Sequence, residues 1–160
     1  MNENGGKGKN IFLIGLILVL LITGCTFKKN KNIIMYELKT SHYFNLNQNK
    51  FFINSEEELN KFYSLFSNRL DISSQLNINK EYLKNNTIFI QVSEVNSGSI
   101  SMKLKNVTFE NSKVNFSVTK NIPEKGTQDM ACWFLVAIIP NQKLQNIKFD
   151  GWIKPSSVNY

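Results

Sequence analysis

Two cysteines and a single histidine bound the chemistry open to this 160-residue chain. A structural zinc site takes four Cys or His ligands, and Cys25, His42 and Cys132 cannot supply them. Cys132 lies inside the apolar run Met130-Ala131-Cys132-Trp133-Phe134-Leu135-Val136, and His42 is far from it in sequence. A reactive thiol wants a basic or cationic neighbour, so Cys132 reads as a small buried hydrophobe. Ser117-Val118-Thr119-Lys120 has the Ser-x-x-Lys spacing used for acyl transfer, which works on one helical face. On a strand, residues three apart point to opposite sides, and the match reads as chance. No glycine-rich phosphate loop and no EF-hand spacing of carboxylates occurs. Carboxylate-pair hydrolysis needs only two groups that approach in space. No pair stands out, and Glu124 and Asp129, which share one loop, come nearest. The sequence therefore predicts no catalytic residue, no metal and no cofactor, with a carboxylate-dependent surface hydrolase as the alternative.

Cys25 is different, because its chemistry is written in what precedes it. Lys7 and Lys9 supply positive charge, Ile11 to Ile22 is apolar, and Thr23-Gly24 are small. The run is short for a hydrocarbon core that needs about 20 apolar residues, and it suits a secretory leader. Ile22-Thr23-Gly24-Cys25 resembles the lipobox of bacterial lipoproteins. That resemblance implies cleavage after Gly24 and a diacylglycerol and fatty acyl group on Cys25. Residues 1–24 are then a lipoprotein signal peptide and 25–32 a lipidated tether. Lys28-Lys29-Asn30-Lys31 falls where phospholipid headgroups would be, or serves as a plain charged spacer. An uncleaved N-terminal anchor is the alternative. Both readings put residues 33–160 outside the cytoplasm, held at the cell membrane. With Cys25 committed to lipid, no intramolecular disulfide is available.

The net charge of +7 is moderately basic. Lysines are not gathered with interleaved aromatics, which argues against a nucleic-acid surface. Weak attraction to anionic lipid or cell-wall polymer is the expected consequence.

The elements that would position any site follow from periodicity. Ile33 to Leu38 partly alternates, as a first strand, and His42 to Leu46 continues or pairs with it. Lys50-Phe51-Phe52-Ile53 is a short strand leading into a capping box, Ser55 with Glu58. Leu59, Phe62, Tyr63 and Phe66 then share one face of a helix over about 56–68. One helical turn is expected at Lys80 to Lys84. Ile88, Ile90 and Val92 alternate with Phe89 and Gln91, as in a half-buried strand. Ile100, Met102 and Leu104 keep that period, and Val107 and Phe109 switch parity, which predicts a bulge near Lys105-Asn106. After a turn at Glu110-Asn111-Ser112, Val114, Phe116 and Val118 alternate again. These three runs read as an antiparallel meander. Met130 to Ile139 is apolar throughout and reads as a strand buried on both faces. Ile147, Phe149 and Ile153 suggest a last strand. The expected fold is a single α+β domain over 33–160: an antiparallel sheet of about five to seven strands with one main helix packed on it.

The layout from Phe51 to Ile139 resembles the PrcB C-terminal domain family. The carrying residues are Ser55-Glu56-Glu57-Glu58-Leu59, the strand Ile88 to Val92, Ser97-Gly98-Ser99-Ile100 with Ser101-Met102-Lys103-Leu104, and Val114 to Val118. A loop with Pro123 and Gly126 and an apolar strand closing on Ile139-Pro140 complete it. Members have Thr-Gly-Gly-Tyr at the turn, where this chain has Ser97-Gly98-Ser99-Ile100. The resemblance spans 51–140 and implies an accessory or protein-binding role at the cell surface, in support of a protease, with no peptidase activity of its own.

Ser97, Gly98 and Ser99 are thus the candidate binding turn, against the plainer reading of a hairpin connection with Gly98 at positive φ. Trp133, Phe134 and Trp152 are read first as core, and second as an aromatic platform. The expected function is a membrane-anchored extracytoplasmic lipoprotein with a protein partner and no nucleic-acid role. An envelope scaffold without a specific partner is the remaining alternative.

Overall fold

Two ten-residue strands with no exposed residue make the spine of the domain. The computed structural model describes residues 33–42, 44, 46–66, 78 and 80–155. Its strands are β1 (Ile34–Thr40), β2 (Lys50–Ile53), β3 (Asn86–Val95), β4 (Ser101–Glu110), β5 (Lys113–Asn121) and β6 (Ala131–Pro140). Its helices are α1 (Glu56–Phe66) and α2 (Lys80–Asn85), with a 3-10 turn at Asn141–Lys143 after β6. The signal and tether, residues 1–24 and 25–32, lie outside the described residues, as do positions 67 and 68 at the expected end of the main helix.

β6 has apolar residues on both faces, so it can lie only between two layers. Every β6 residue is buried except Trp133 and Pro140. It pairs antiparallel with β3, from Asn86 opposite Pro140 to Val95 opposite Ala131. On its other side β1 pairs with it, Ile34 opposite Ile138 through Thr40 opposite Cys132. β2 pairs with the outer side of β3, which gives the sheet order β1-β6-β3-β2.

The helices cover one face. Ser55 Oγ accepts the Glu58 N–H at 3.2 Å, and Glu58 Oε2 accepts the Asn54 N–H at 2.8 Å. Two otherwise orphaned donors at the helix start are thereby satisfied. Lys154 forms an ion pair with the same buried glutamate. Leu59, Phe62 and Phe66 then pack on Phe51, Ile88, Ile90, Phe134 and Val136. The opposite face of the sheet buries Phe89, Leu135, Ala137 and Ile139 against Leu104, Val107 and Val114 of the β4-β5 hairpin and against Trp152. The fold is α+β: six strands in antiparallel sheets, with α1 as the main helix.

Three local expectations change. The β3-β4-β5 meander does not form, because β4 and β5 make their own two-stranded sheet. β3 is buried on both faces, and its two hydrogen-bonding edges are taken by β2 and β6. The chain therefore leaves the edge after Val95 and crosses onto the sheet face. β1 ends at Thr40, and the described residues from Ser41 to Leu46 are not strand. Ile147 to Ile153 makes only single bridges, Lys113 with Lys148 and Phe51 with Ile153. Left-handed backbone at Asn146 (φ 65°) and Gly151 (φ 80°) interrupts it. The expected bulge is present, as a register shift between Leu104 and Asn106. The β4-β5 turn holds Asn111 and Ser112 at φ 52° and 59°, the two-residue arrangement that matches strand twist.

Candidate functional site

The residues singled out as a binding turn sit at one end of the sheet, where three chain segments meet. The loop after β3 carries Ser97, Gly98 and Ser99. The loop between β5 and β6 carries Gly126, Thr127 and Asp129, and the end of β1 carries Lys39. Ser97 Oγ lies 2.8 Å from Ser99 Oγ and 3.2 Å from Thr127 Oγ1. Ser99 and Thr127 bond reciprocally: the Ser99 N–H donates to Thr127 Oγ1 at 3.1 Å, and the Thr127 N–H to Ser99 Oγ at 3.2 Å. The Gly98 N–H donates to Asp129 Oδ1 at 3.2 Å, and Lys39 Nζ donates to the Gly98 carbonyl. Each loop thus satisfies backbone groups of the other, which holds two otherwise unpaired segments in one shape.

Gly98 is accounted for by a close approach and not by a turn conformation. Its φ is not in the left-handed region, and a Cβ placed there would collide with the Asp129 carboxylate. Gly126 is less constrained, since a Cβ would lie 3.0 Å from Ser97 Oγ, a tight contact that a small shift relieves. Thr127 is the main cause that holds the Asp129 carboxyl below the usual carboxylate range, ahead of the backbone N–H groups of Asp129 and Gly98 and the Lys39 ammonium. A depressed carboxylate stabilises the fold above its ordinary pKa of about 3.9 and loses that effect as the pH falls below it. Acid below about pH 4 is therefore expected to weaken the Gly98 N–H bond to Asp129, seen as faster amide exchange at Gly98, while the Ser99–Thr127 bonds persist.

The structure brings Asp129 to the Ser97-Gly98-Ser99 turn, and it does not join Asp129 to Glu124. Among the described residues no hydrogen bond or ion pair links those two side chains, and Glu124 is exposed. Ser117 and Lys120 both lie on β5, where odd spacing puts them on opposite faces. The three hydroxyls at the site are bonded to one another and to backbone N–H groups, an arrangement suited to fixing a surface shape.

The three aromatic candidates do not form one platform. Phe134 is core on the helix face and Trp152 is core on the hairpin face. Only Trp133 borders the site: it is half-buried, its indole N–H donates to the Ile100 carbonyl at 3.2 Å, and Lys39 Nζ lies 5.8 Å from its ring centroid. Ile122 (65% exposed) and Met130 (50%) bracket the same loop. No sequence pattern marks Lys39 or Thr127, because neither belongs to a motif or a periodic run.

Cys132 is a free, fully buried cysteine on β6. Burial first, and the Glu94 carboxylate second, push its thiol up to about 12. Iodoacetamide at pH 8 is expected to leave Cys132 unmodified until the protein unfolds, as mass spectrometry would read. A raised thiol pKa stabilises the fold below the unfolded value of about 8.5 and loses that effect as the pH climbs toward 12.

No group of three or more His, Cys, Asp or Glu side chains among the described residues could hold a metal ion. Comparisons with protein-family models, with curated proteins and with solved structures find no match.

Proposed function

We propose that this protein is an extracytoplasmic lipoprotein, anchored to the cell membrane through Cys25, that serves as a non-catalytic accessory module binding another extracytoplasmic protein. The charge, apolar run, small pair and cysteine before residue 26 support the anchor. The resemblance over 51–140 supports a partner that is a surface protease or part of its complex.

The observation that carries the binding role is the position of the loop cluster. The described domain begins next to β1, with Ile34 opposite Ile138, and the strand ends beside Cys132. Seven strand residues rise about 3.3 Å each, so the Lys39 end lies roughly 20 Å from that entry point. The Ser97-Gly98-Ser99 cluster is therefore at the other end of β1 from Ile34. The engagement of Asp129 with Gly98 and Thr127 favours binding over carboxylate chemistry.

The test uses the full-length protein in its own membranes, with a photocrosslinking residue in place of Ile122 or Met130. One extracytoplasmic protein should be captured, and Gly98→Ala, which forces the Asp129 carboxylate aside, should abolish that capture while the protein stays folded and membrane-bound. Hydrolysis of a peptide, glycan or ester by the purified protein, abolished by Asp129→Asn, contradicts the proposal in favour of a hydrolase. A folded, membrane-bound protein that captures nothing favours a scaffold.

A further inference from the structure

Of the large apolar side chains that stand exposed among the described residues, three are consecutive: Ile34, Met35 and Tyr36, at 42%, 38% and 39%. They open β1, an edge strand of the four-stranded sheet. Residues directly opposite in an antiparallel pair share a face. Ile34 and Tyr36 oppose Ile138 and Val136, on the helix side, and Met35 opposes Ala137, on the hairpin side. The start of the edge is thus apolar on both faces. Charge begins only after it. Glu37 Oε1 accepts the Leu104 N–H at 2.9 Å, and Lys39 donates to the Gly98 carbonyl. Those two charged side chains work against pairing of β1 with a further strand.

We infer that this end of the domain lies on the membrane surface, with Ile34, Met35 and Tyr36 set into the headgroup interface. Membrane attachment at Cys25, as proposed above, is presupposed, and an orientation is added to it. Ile34 comes nine residues after Cys25, a reach of at most about 30 Å. The exposed apolar patch therefore falls on the part of the domain that a lipid on Cys25 would hold nearest the bilayer. Lys28, Lys29 and Lys31 lie between the two, and an anionic headgroup layer draws such lysines down, which shortens the reach. Tyrosine suits the interface, because its ring is apolar while its hydroxyl stays wet. Three side chains are too few to hold a free domain on lipid. Attachment makes the contact intramolecular, however, and raises its effective concentration. In this pose the Gly98 loop, at the far end of β1, faces away from the lipid, and with it Ile122 and Met130 are left for a protein partner.

The test uses the full-length protein in vesicles of phosphatidylglycerol and phosphatidylcholine in equal parts, with a photocrosslinking residue in place of Met35 or of Ile122. Mass spectrometry should find phospholipid captured at position 35, and about tenfold less at position 122. Ile34→Glu with Tyr36→Glu should lower capture at position 35 about tenfold, with the circular-dichroism spectrum unchanged. Ile34→Thr with Tyr36→Thr, which keeps branched side chains that favour a strand, should lower it in the same direction by less. Equal capture at the two positions, or capture at position 35 that ignores both pairs of changes, overturns the inference. So does capture of a second copy at position 35, which assigns the patch to self-association. Capture of a different protein there in native membranes overturns it in favour of a protein contact. A chain that keeps its leader is still held in the vesicle by the apolar run from Ile11 to Ile22. The result is therefore read whether or not Cys25 is acylated, and the two proposals fail separately.

Discussion

Replacing Phe134 by alanine is expected to lower the stability of the domain by about 3–5 kcal/mol. Phe134 is fully buried on the central strand, so little solvent can relieve the cavity it leaves. Its ring meets Phe66 at 5.1 Å, Phe44 at 5.9 Å and Phe62 at 6.5 Å, each edge to face. Three segments thus lose contacts together: β6, α1 and the stretch after β1. A domain of this size is stable by about 5–15 kcal/mol, so the loss is a large share of the total. Urea unfolding of the full-length protein in detergent, followed by circular dichroism, measures it. Phe134→Leu keeps most of the volume and should cost clearly less. A change below about 1 kcal/mol for alanine would mean that α1 does not pack on β6.

Trp152→Ala should cost a comparable amount, about 3–5 kcal/mol, on the opposite face. Trp152 stands against Phe89 at 5.0 Å and Phe116 at 4.9 Å, and its indole N–H donates to the Val114 carbonyl at 3.2 Å. It therefore ties the C-terminal segment to both the main sheet and the hairpin. Trp152→Phe keeps most of the buried ring but leaves the Val114 carbonyl unpaired, for a smaller loss of about 1–3 kcal/mol. The difference between the two variants, read by the same unfolding experiment, separates packing from the hydrogen bond. Equal losses would show that the hydrogen bond, and not the ring, holds this face.

Much of the fold is legible where a local signal coincides with a local cause. Ser55 and Glu58 announce α1 because a capping box is built from residues adjacent in sequence. The unbroken apolar run in β6 announces a central strand because both its faces have to be covered. The parity switch after Leu104 announces the bulge because an extra residue exchanges the two faces of a strand. What alternation does not report is which strand lies beside which. The spacing of Met102 and Leu104 is the same whether β4 pairs with β3 or only with β5, so it cannot tell a meander from two sheets. The end of the chain misleads differently. Ile147, Phe149 and Ile153 keep strand-like spacing, yet Asn146 and Gly151 turn the backbone.

The candidate site is legible only in halves. Ser97-Gly98-Ser99 stands out as a polar turn and Asp129 as a loop carboxylate, each for its own chemistry. Their contact depends on two loops closing across the end of the sheet, and polar loop residues carry no period that could foretell it. Gly98 shows the cost of local reading most clearly: its role is to admit the Asp129 carboxylate, not to adopt an unusual φ.

The proposed attachment to lipid at Cys25 would govern where the domain operates. Growing cells on a labelled fatty acid, with the native chain compared against Cys25→Ala, tests it most directly. Label is expected on the native protein in the membrane fraction, with an unlabelled, unprocessed product from Cys25→Ala. A native protein without label in the cell interior, or label that persists in Cys25→Ala, would contradict it.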